Sequence, residues 1–292
     1  VDSFAELAGF YDLDYPDTSD HLFLTRLVSA IGPRHLLEIP CGSGRNIGPL
    51  LAAAAGHVTF ADIAETMVDQ VRRRIPESAR GRARAVVGDL RSCCELGTFD
   101  LVVCPREAFQ LLDRSAAARA LESMAAGITD DGLIVVDLFA FTDAAAALSD
   151  APPDYFSPDE LNDWVVDWTR RDADRDLTVT RHRRQLRTAD GVRFQMRYEL
   201  RNSTDAAPRT AQLEFDMTNY SHAEFCQLAG RSGLDVLTTF AGYTADSAAT
   251  SLRTVFFLGV DRGQETAKRL ERIRHEVGAD RGISESHRPD AR

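Results

Sequence analysis

A chain of 292 residues, 44% of them hydrophobic, is long enough for one sizeable core that carries an insertion or extension. Its formal net charge of −11 argues against the broad basic footprint that nucleic acid requires, and its single lysine, Lys268, leaves no amine in the body of the fold for a Schiff base, a phosphate-loop ammonium or a Tyr-Lys reductase pair. No apolar run approaches the roughly 20 residues of a membrane span, so no membrane partner is expected.

The chain opens at Val1 without a charged n-region or a signal-type apolar segment, which predicts a cytoplasmic location. Its N-terminal segment, residues 1–34, carries Phe10-Tyr-Asp12 and Tyr15 ahead of the first strand. Between residues 35 and 140, short apolar runs at 35–39, 57–61, 83–87, 99–104 and 133–139 alternate with helical patterns at 45–55, 65–74 and 114–127. That alternation predicts an α/β fold with a Rossmann-like, doubly wound parallel sheet covered by helices on both faces.

From about residue 164 the period changes to 2. Val192, Phe194, Met196, Tyr198 and Leu200 alternate with polar residues, as do Leu213, Phe215 and Met217. Asp190-Gly191 separates this strand from one at 177–187 and predicts a hairpin turn in which the glycine takes positive φ. An inserted antiparallel β subdomain over 163–218 follows, serving acceptor selection or the contact of a homodimer. Ser221-His-Ala-Glu224 then reads as a capping box for a helix to residue 229, and strands at 236–240 and 254–260 complete a seven-stranded core over 35–162 and 219–261. Residues 262–292 read as a polar helix with a frayed tail.

The sharpest chemical signal is Leu36-Leu-Glu-Ile-Pro-Cys-Gly-Ser-Gly44, a strand entering a glycine loop ahead of a helix. Gly42 and Gly44 let the backbone approach a ligand closely. The third glycine of a dinucleotide fingerprint is replaced by Ile47, which weakens a nicotinamide reading. Glu38 would repel a pyrophosphate but suits a ligand carrying ammonium and sulfonium charges. At the next two strand ends, Asp62 is placed to accept from ribose hydroxyls and Asp89, followed by Leu90, to accept from an adenine amino group. Five cysteines, Cys41, Cys93, Cys94, Cys104 and Cys226, form neither a CxxC pair nor an even disulfide framework, so reduced thiols and no metal site are expected.

At this point the chain resembles the class I S-adenosylmethionine-dependent methyltransferases, over about residues 5 to 261. The matching pieces are Glu38 to Gly44, Asp62 followed by Met67, Gly88-Asp89, Phe99 to Cys104, and Asp131-Gly132. More narrowly, Cys104-Pro-Arg-Glu-Ala-Phe-Gln-Leu111, Phe10-Tyr-Asp12 with Tyr15, and the β insertion resemble bacterial small-molecule methyltransferases of natural-product pathways, aminosugar and glycopeptide N-methyltransferases among them. The resemblance implies the seven-stranded methyltransferase sheet, with S-adenosylmethionine as cofactor and a small molecule as acceptor. It implies that Glu38, Gly42, Ser43, Gly44, Asp62 and Ile63 hold the donor together with Met67, Asp89, Leu90 and Cys104. Tyr11 would close over the methionine end, with residues 1–34 as a cap. Pro40-Cys41 departs from the small or acidic residues usual in the loop.

Arg106 and Gln110 follow the fourth strand at the edge where ligands bind in open α/β sheets, so they are candidates, with Tyr11, for the acceptor pocket and its chemistry. Methyl transfer needs alignment in a dry site more than a nucleophilic side chain. No His-metal or His-Asp pair of suitable spacing is present, which tilts the expectation toward an amine acceptor. Trp164 and Trp168 either pack the inserted sheet or cover a substrate ring, and His182 and His222 read as exposed. Use of the same donor site for donor cyclisation or a pericyclic step, and a non-catalytic donor-binding module, remain alternatives.

Overall fold

The structure is a computed structural model that describes residues 7–140, 163–204, 207–244 and 252–278. Its helices are α1 (Tyr11–Asp14), α2 (His21–Ile31), α3 (Ile47–Ala53), α4 (Glu65–Arg74), α5 (Arg114–Gly127), α6 (His222–Arg231) and α7 (Gln264–Gly278). The parallel strands arise where the apolar runs predict them: β1 (His35–Glu38), β2 (His57–Asp62), β3 (Ala83–Val87), β4 (Phe99–Cys104) and β5 (Ile128–Phe139). A second sheet follows in the order β6 (Val165–Asp172), β7 (Leu177–Arg187), β8 (Gly191–Asn202) and β9 (Arg209–Thr218), antiparallel throughout. The chain then returns to add β10 (Asp235–Ala241) and β11 (Arg253–Gly259), giving a seven-stranded sheet ordered β10-β11-β5-β4-β1-β2-β3 in which β11 is antiparallel to both neighbours.

Successive residues of each parallel strand enter opposite layers because side chains alternate across a sheet. Leu36, Leu101, Val103 and Val135 pack with α2, α3 and α7, whereas Leu37, Val102, Ile134 and Val136 pack with α5 and α6. The predicted capping box holds α6: the Glu224 amide donates to Ser221 Oγ at 3.2 Å and the Ser221 amide to Glu224 Oε2 at 2.9 Å. Among the described residues no helix is long and apolar enough to cross a membrane.

Three local expectations are corrected. β5 begins five residues before its apolar run, because Ile128 pairs with Phe99 and the polar stretch Thr129-Asp-Asp-Gly132 is carried through a register shift. The helix expected from residue 45 starts at Ile47, since Arg45 and Asn46 turn their side chains to acids, Asp20 and Glu38. At the β7–β8 hairpin, Gly191 is not in the positive-φ region; a Cβ there would lie 2.0 Å from the Met217 carbonyl oxygen, so close approach of β9 is what demands glycine.

Residues 7–20, ahead of α2, bridge the two sheets and are held by their acids. Asp20 receives a bidentate pair from Arg45 at 2.6 and 2.7 Å, and Asp12 accepts from Ser43 Oγ at 2.5 Å and from Arg74. Buried Asp14 accepts from Arg181 at 2.5 Å and from the Tyr198 hydroxyl at 2.6 Å, while Leu7 and Phe10 enter the apolar layer of the second sheet. A charge buried with good partners is costly to orphan, so the Asp14 and Asp20 pairs fix the segment's position.

Candidate functional site

The C-terminal ends of β1 to β4 lie on one edge, and there the chain leaves a cavity of about 460 Å³. Ligands bind at this edge in open α/β sheets because strand ends and helix starts expose backbone groups there. After β1, Gly42 and Gly44 take φ of +52° and +91°, which L side chains rarely adopt. The loop they form is pinned by the Cys41 amide to Ala61 O at 2.8 Å and by the Gly42 amide to Asp62 Oδ2 at 2.8 Å. Tyr11 covers it: its ring lies 3.5 Å from where a Cβ on Gly42 would stand, and it packs on Tyr15 with centroids 4.8 Å apart. Burial raises the Tyr11 hydroxyl pKa, and Asp62 adds to the effect.

Glu38 faces this cavity at 1% exposure. Its Oε1 accepts from Asn46 Nδ2 at 2.6 Å, while Glu38 Oε2 and Asn46 Oδ1 are buried acceptors with no partner among the described residues. Two neighbouring acceptors left unmatched in a buried site call for a donor-rich ligand, and an ammonium fits that description. Burial pushes the Glu38 carboxyl up to about 8, against the lowering effect of the Asn46 hydrogen bond.

Asp62 and Asp89 also line the cavity, each already engaged. Asp62 Oδ1 accepts from the Ala64 amide at 2.9 Å and Oδ2 from Gly42, so the side chain shapes the loop as well as facing a ligand. Asp89 is covered by Arg91, whose amide and Nε both donate to Oδ1, at 2.8 and 2.9 Å; these bonds hold its carboxyl below the usual range. Ile63 is 56% exposed at the cavity wall, with Leu90 and Met67 beside it, giving the apolar surfaces on which an adenine ring can lie.

The remainder of the wall was only partly visible in the sequence. Arg106 lines it, 2.8 Å from Asp17; burial raises the Asp17 carboxyl, but the Ser19 amide and Arg106 outweigh that and hold it at about 2. Arg106 and Glu107 are consecutive non-glycine residues with φ of 60° and 56°, a conformation that costs about 1–3 kcal/mol per residue and is retained where surrounding contacts impose it. Those contacts are the Glu107 amide to Asp137 Oδ1 at 2.8 Å and the Glu107 carboxylate to Arg253. Arg253, from β11, also reaches Asp137 Oδ2 at 2.5 Å, and Tyr243 donates to the same oxygen. β8 and β9 add Phe194, Met196, Phe215 and Met217.

Three expected site residues do not line the cavity. Gly44 lies behind the loop, its Cα facing Ile47 and Val71. The Cys104 side chain is fully buried in the α5 layer. Gln110, a candidate for acceptor chemistry, is also fully buried: its Oε1 accepts from the Phe139 amide at 2.7 Å, and its Nε2 donates to Phe139 O and Thr218 O at 3.0 Å each. It joins β5 to β9. Ser43 does line the cavity, with its hydroxyl turned to Asp12. Gln110→Ala is accordingly expected to destabilise the fold by about 1–3 kcal/mol in chemical denaturation, through the unpaired backbone groups it leaves. Turnover well below the melting temperature should stay within a few-fold of the parent; a loss of hundreds-fold without destabilisation would restore Gln110 to the chemistry.

Residues 36–132 match a family described as methyltransferase domain. The chain carries a methyltransferase domain. That match spans β1 to the middle of β5, with the glycine loop, Asp62 and Asp89 inside it. Solved structures share the fold over most of the chain. An S-adenosylmethionine-dependent methyltransferase from Clostridium acetobutylicum superposes with a TM-score of 0.67 at 14% identity, over 88% of this chain and 98% of that one. A sugar N-methyltransferase from Streptoalloteichus gives 0.62 at 18% identity over 84% and 91%. An amino pentose methyltransferase from Micromonospora echinaspora gives 0.56 at 20% identity over 88% and 89%. The fold of this methyltransferase domain is therefore that of the S-adenosylmethionine-dependent methyltransferases. No curated protein matches the chain.

Proposed function

We propose that this methyltransferase moves the methyl group of S-adenosylmethionine to an amine nitrogen of a small molecule in bacterial secondary metabolism. The observation that carries the donor half is the buried acceptor pair, Glu38 Oε2 and Asn46 Oδ1, beside the glycine loop. These atoms suit an ammonium; Asp62 suits the ribose hydroxyls, and Ile63, Met67 and Leu90 flank the adenine with Asp89 at its edge. Of the expected cap over residues 1–34, residues 1–6 lie outside the described residues; the remainder closes the donor end, Tyr11 covering the methionine end. The donor supplies an electrophilic methyl carbon on a positively charged sulfur.

The chain's own work is alignment and exclusion of water. An amine needs its lone pair free: the N–C bond forms as the S–C bond breaks, the bonding pair stays on sulfur, and the nitrogen's extra proton leaves to water. Nitrogen is favoured by charge. Asp17, Glu107 and Asp137 outnumber Arg106 and Arg253 in the cluster after β4, leaving one net negative charge, which attracts an ammonium form of the acceptor and its product. The sugar N-methyltransferase among the similar structures agrees with this reading.

The test is mass spectrometry after incubating the protein with S-adenosylmethionine and a panel of amines, aminosugars, amino acids and phenols. S-adenosylhomocysteine together with an amine heavier by one methylene group is the expected result. Methylthioadenosine in its place would replace methyl transfer by rearrangement of the donor, and bound, unconsumed donor across a broad amine panel would point to a binding module.

A further inference from the structure

The geometry points to an acceptor amine with a flat, apolar body in place of a polyhydroxylated one; this rests on reading the cavity as an N-methyltransferase site. The deciding observation is the stretch of wall supplied by the second sheet. Phe194 pairs with Phe215 across β8 and β9, their rings 5.2 Å apart and within 13° of parallel, and Met196 and Met217 stand on either side of them on the same face. Phe194, Met196 and Met217 are buried, at 1%, 2% and 8% exposure. None of the four ends in a nitrogen or oxygen.

A sugar ring presents hydroxyls around its whole rim. Each hydroxyl set against this panel gives up its water and gains no partner, whereas an aromatic or alicyclic body gains stacking on the phenylalanines and contact with the polarizable thioethers. Methionine also repacks around differently shaped apolar groups, so the wall specifies apolarity more tightly than outline. The charged side chains that share the cavity with this panel toward the β4 end are Asp17, Arg106, Glu107 and Arg253, with Asp137 behind them, which suits a molecule whose polar group is confined to one end. An amine at that end meets the net negative cluster while its body lies on the panel.

Two acceptors discriminate, 2-phenylethylamine and glucosamine, each measured for turnover with S-adenosylmethionine and for binding by calorimetry to the protein saturated with S-adenosylhomocysteine. The expected result is a preference for the arylalkyl amine of about 100-fold in kcat/KM, matched by its tighter binding. Phe215→Asn should raise its KM by roughly tenfold and Phe215→Leu by much less, with donor affinity unchanged in both. Equal or better methylation of glucosamine overturns the inference while leaving N-methylation standing. Binding of neither amine also overturns it. A phenol methylated on oxygen while amines stay inert overturns both the inference and the reading beneath it.

Discussion

Glu38→Gln is expected to weaken S-adenosylmethionine binding by about 100-fold, ~3 kcal/mol, and to abolish the rise of affinity with pH. Glu38 is 1% exposed, holds Asn46 through one oxygen and leaves the other unmatched, and burial pushes its carboxyl to about 8. At pH 7 the free protein therefore carries mostly the acid, and pairing with an ammonium expels its proton. Affinity should climb about eightfold from pH 6 to 7 and only about two- to threefold from 7 to 8. It should then turn over as the donor's own amino group, of ordinary pKa about 7.7–8.0, begins to deprotonate. Calorimetry in buffers of different ionisation enthalpy reads the proton release directly. Parent affinity that is flat from pH 6 to 8, or a glutamine variant within threefold of the parent, would remove Glu38 from donor binding.

The same carboxyl acts on folding with its own sign. Its folded pKa lies above the ordinary value of 4.5, so the folded chain holds a proton that the unfolded chain has released between pH 4.5 and about 8. This stabilising contribution is complete below 4.5 and is lost as pH rises through about 8. Ligand-free Glu38→Gln should lack that decline, which a thermal melt series across the window measures.

Most of the scaffold was legible because its physics is local. Five strand ends out of parallel apolar runs, the period change at residue 164, and Ser221 with Glu224 three residues later each fix an element without reference to the remainder of the chain. The donor end was legible for the same reason, since Glu38, the glycines, Asp62 and Asp89 sit at consecutive strand ends. Asp62 illustrates the limit: its spacing marks a ligand contact, yet its two backbone amide bonds, to Gly42 and Ala64, depend on how the loop folds back. The acceptor end was less legible. Arg253 is 146 residues from Glu107 in the chain and meets it only because β11 pairs antiparallel with β5, setting Arg253 opposite Phe139. Gln110 and Glu107 lie in one short segment, and nothing in their spacing says which faces the cavity. Two left-handed residues at Arg106 and Glu107 reverse the ordinary expectation, turning Glu107 toward the site and Gln110 into the join between the sheets.

That arrangement makes Arg253 the residue on which the acceptor end depends. Arg253→Leu is expected to destabilise the protein by about 3–5 kcal/mol, because the guanidinium compensates two carboxylates, Asp137 at 2% and Glu107 at 18% side-chain exposure, that have little water to fall back on. Phe139 and Tyr243 would also lose the cation over their rings, now 5.5 and 4.9 Å from the guanidinium carbon. Arg253→Lys keeps the charge but not the fork that reaches both acids, so it should fall between the two. Adding Glu107→Gln to Arg253→Leu removes one of the stranded charges, and the double variant should be less destabilised than the sum of the singles by about 1 kcal/mol or more. Chemical denaturation of the four proteins measures this coupling, and strict additivity would show that the Arg253–Glu107 contact does not organise the cluster. Donor affinity, set at the Glu38 end, should survive in Arg253→Lys while KM for the amine rises. A loss confined to the donor would instead place Arg253 in the machinery that holds S-adenosylmethionine, and the division of the cavity into a donor end and an acceptor end would have to be redrawn.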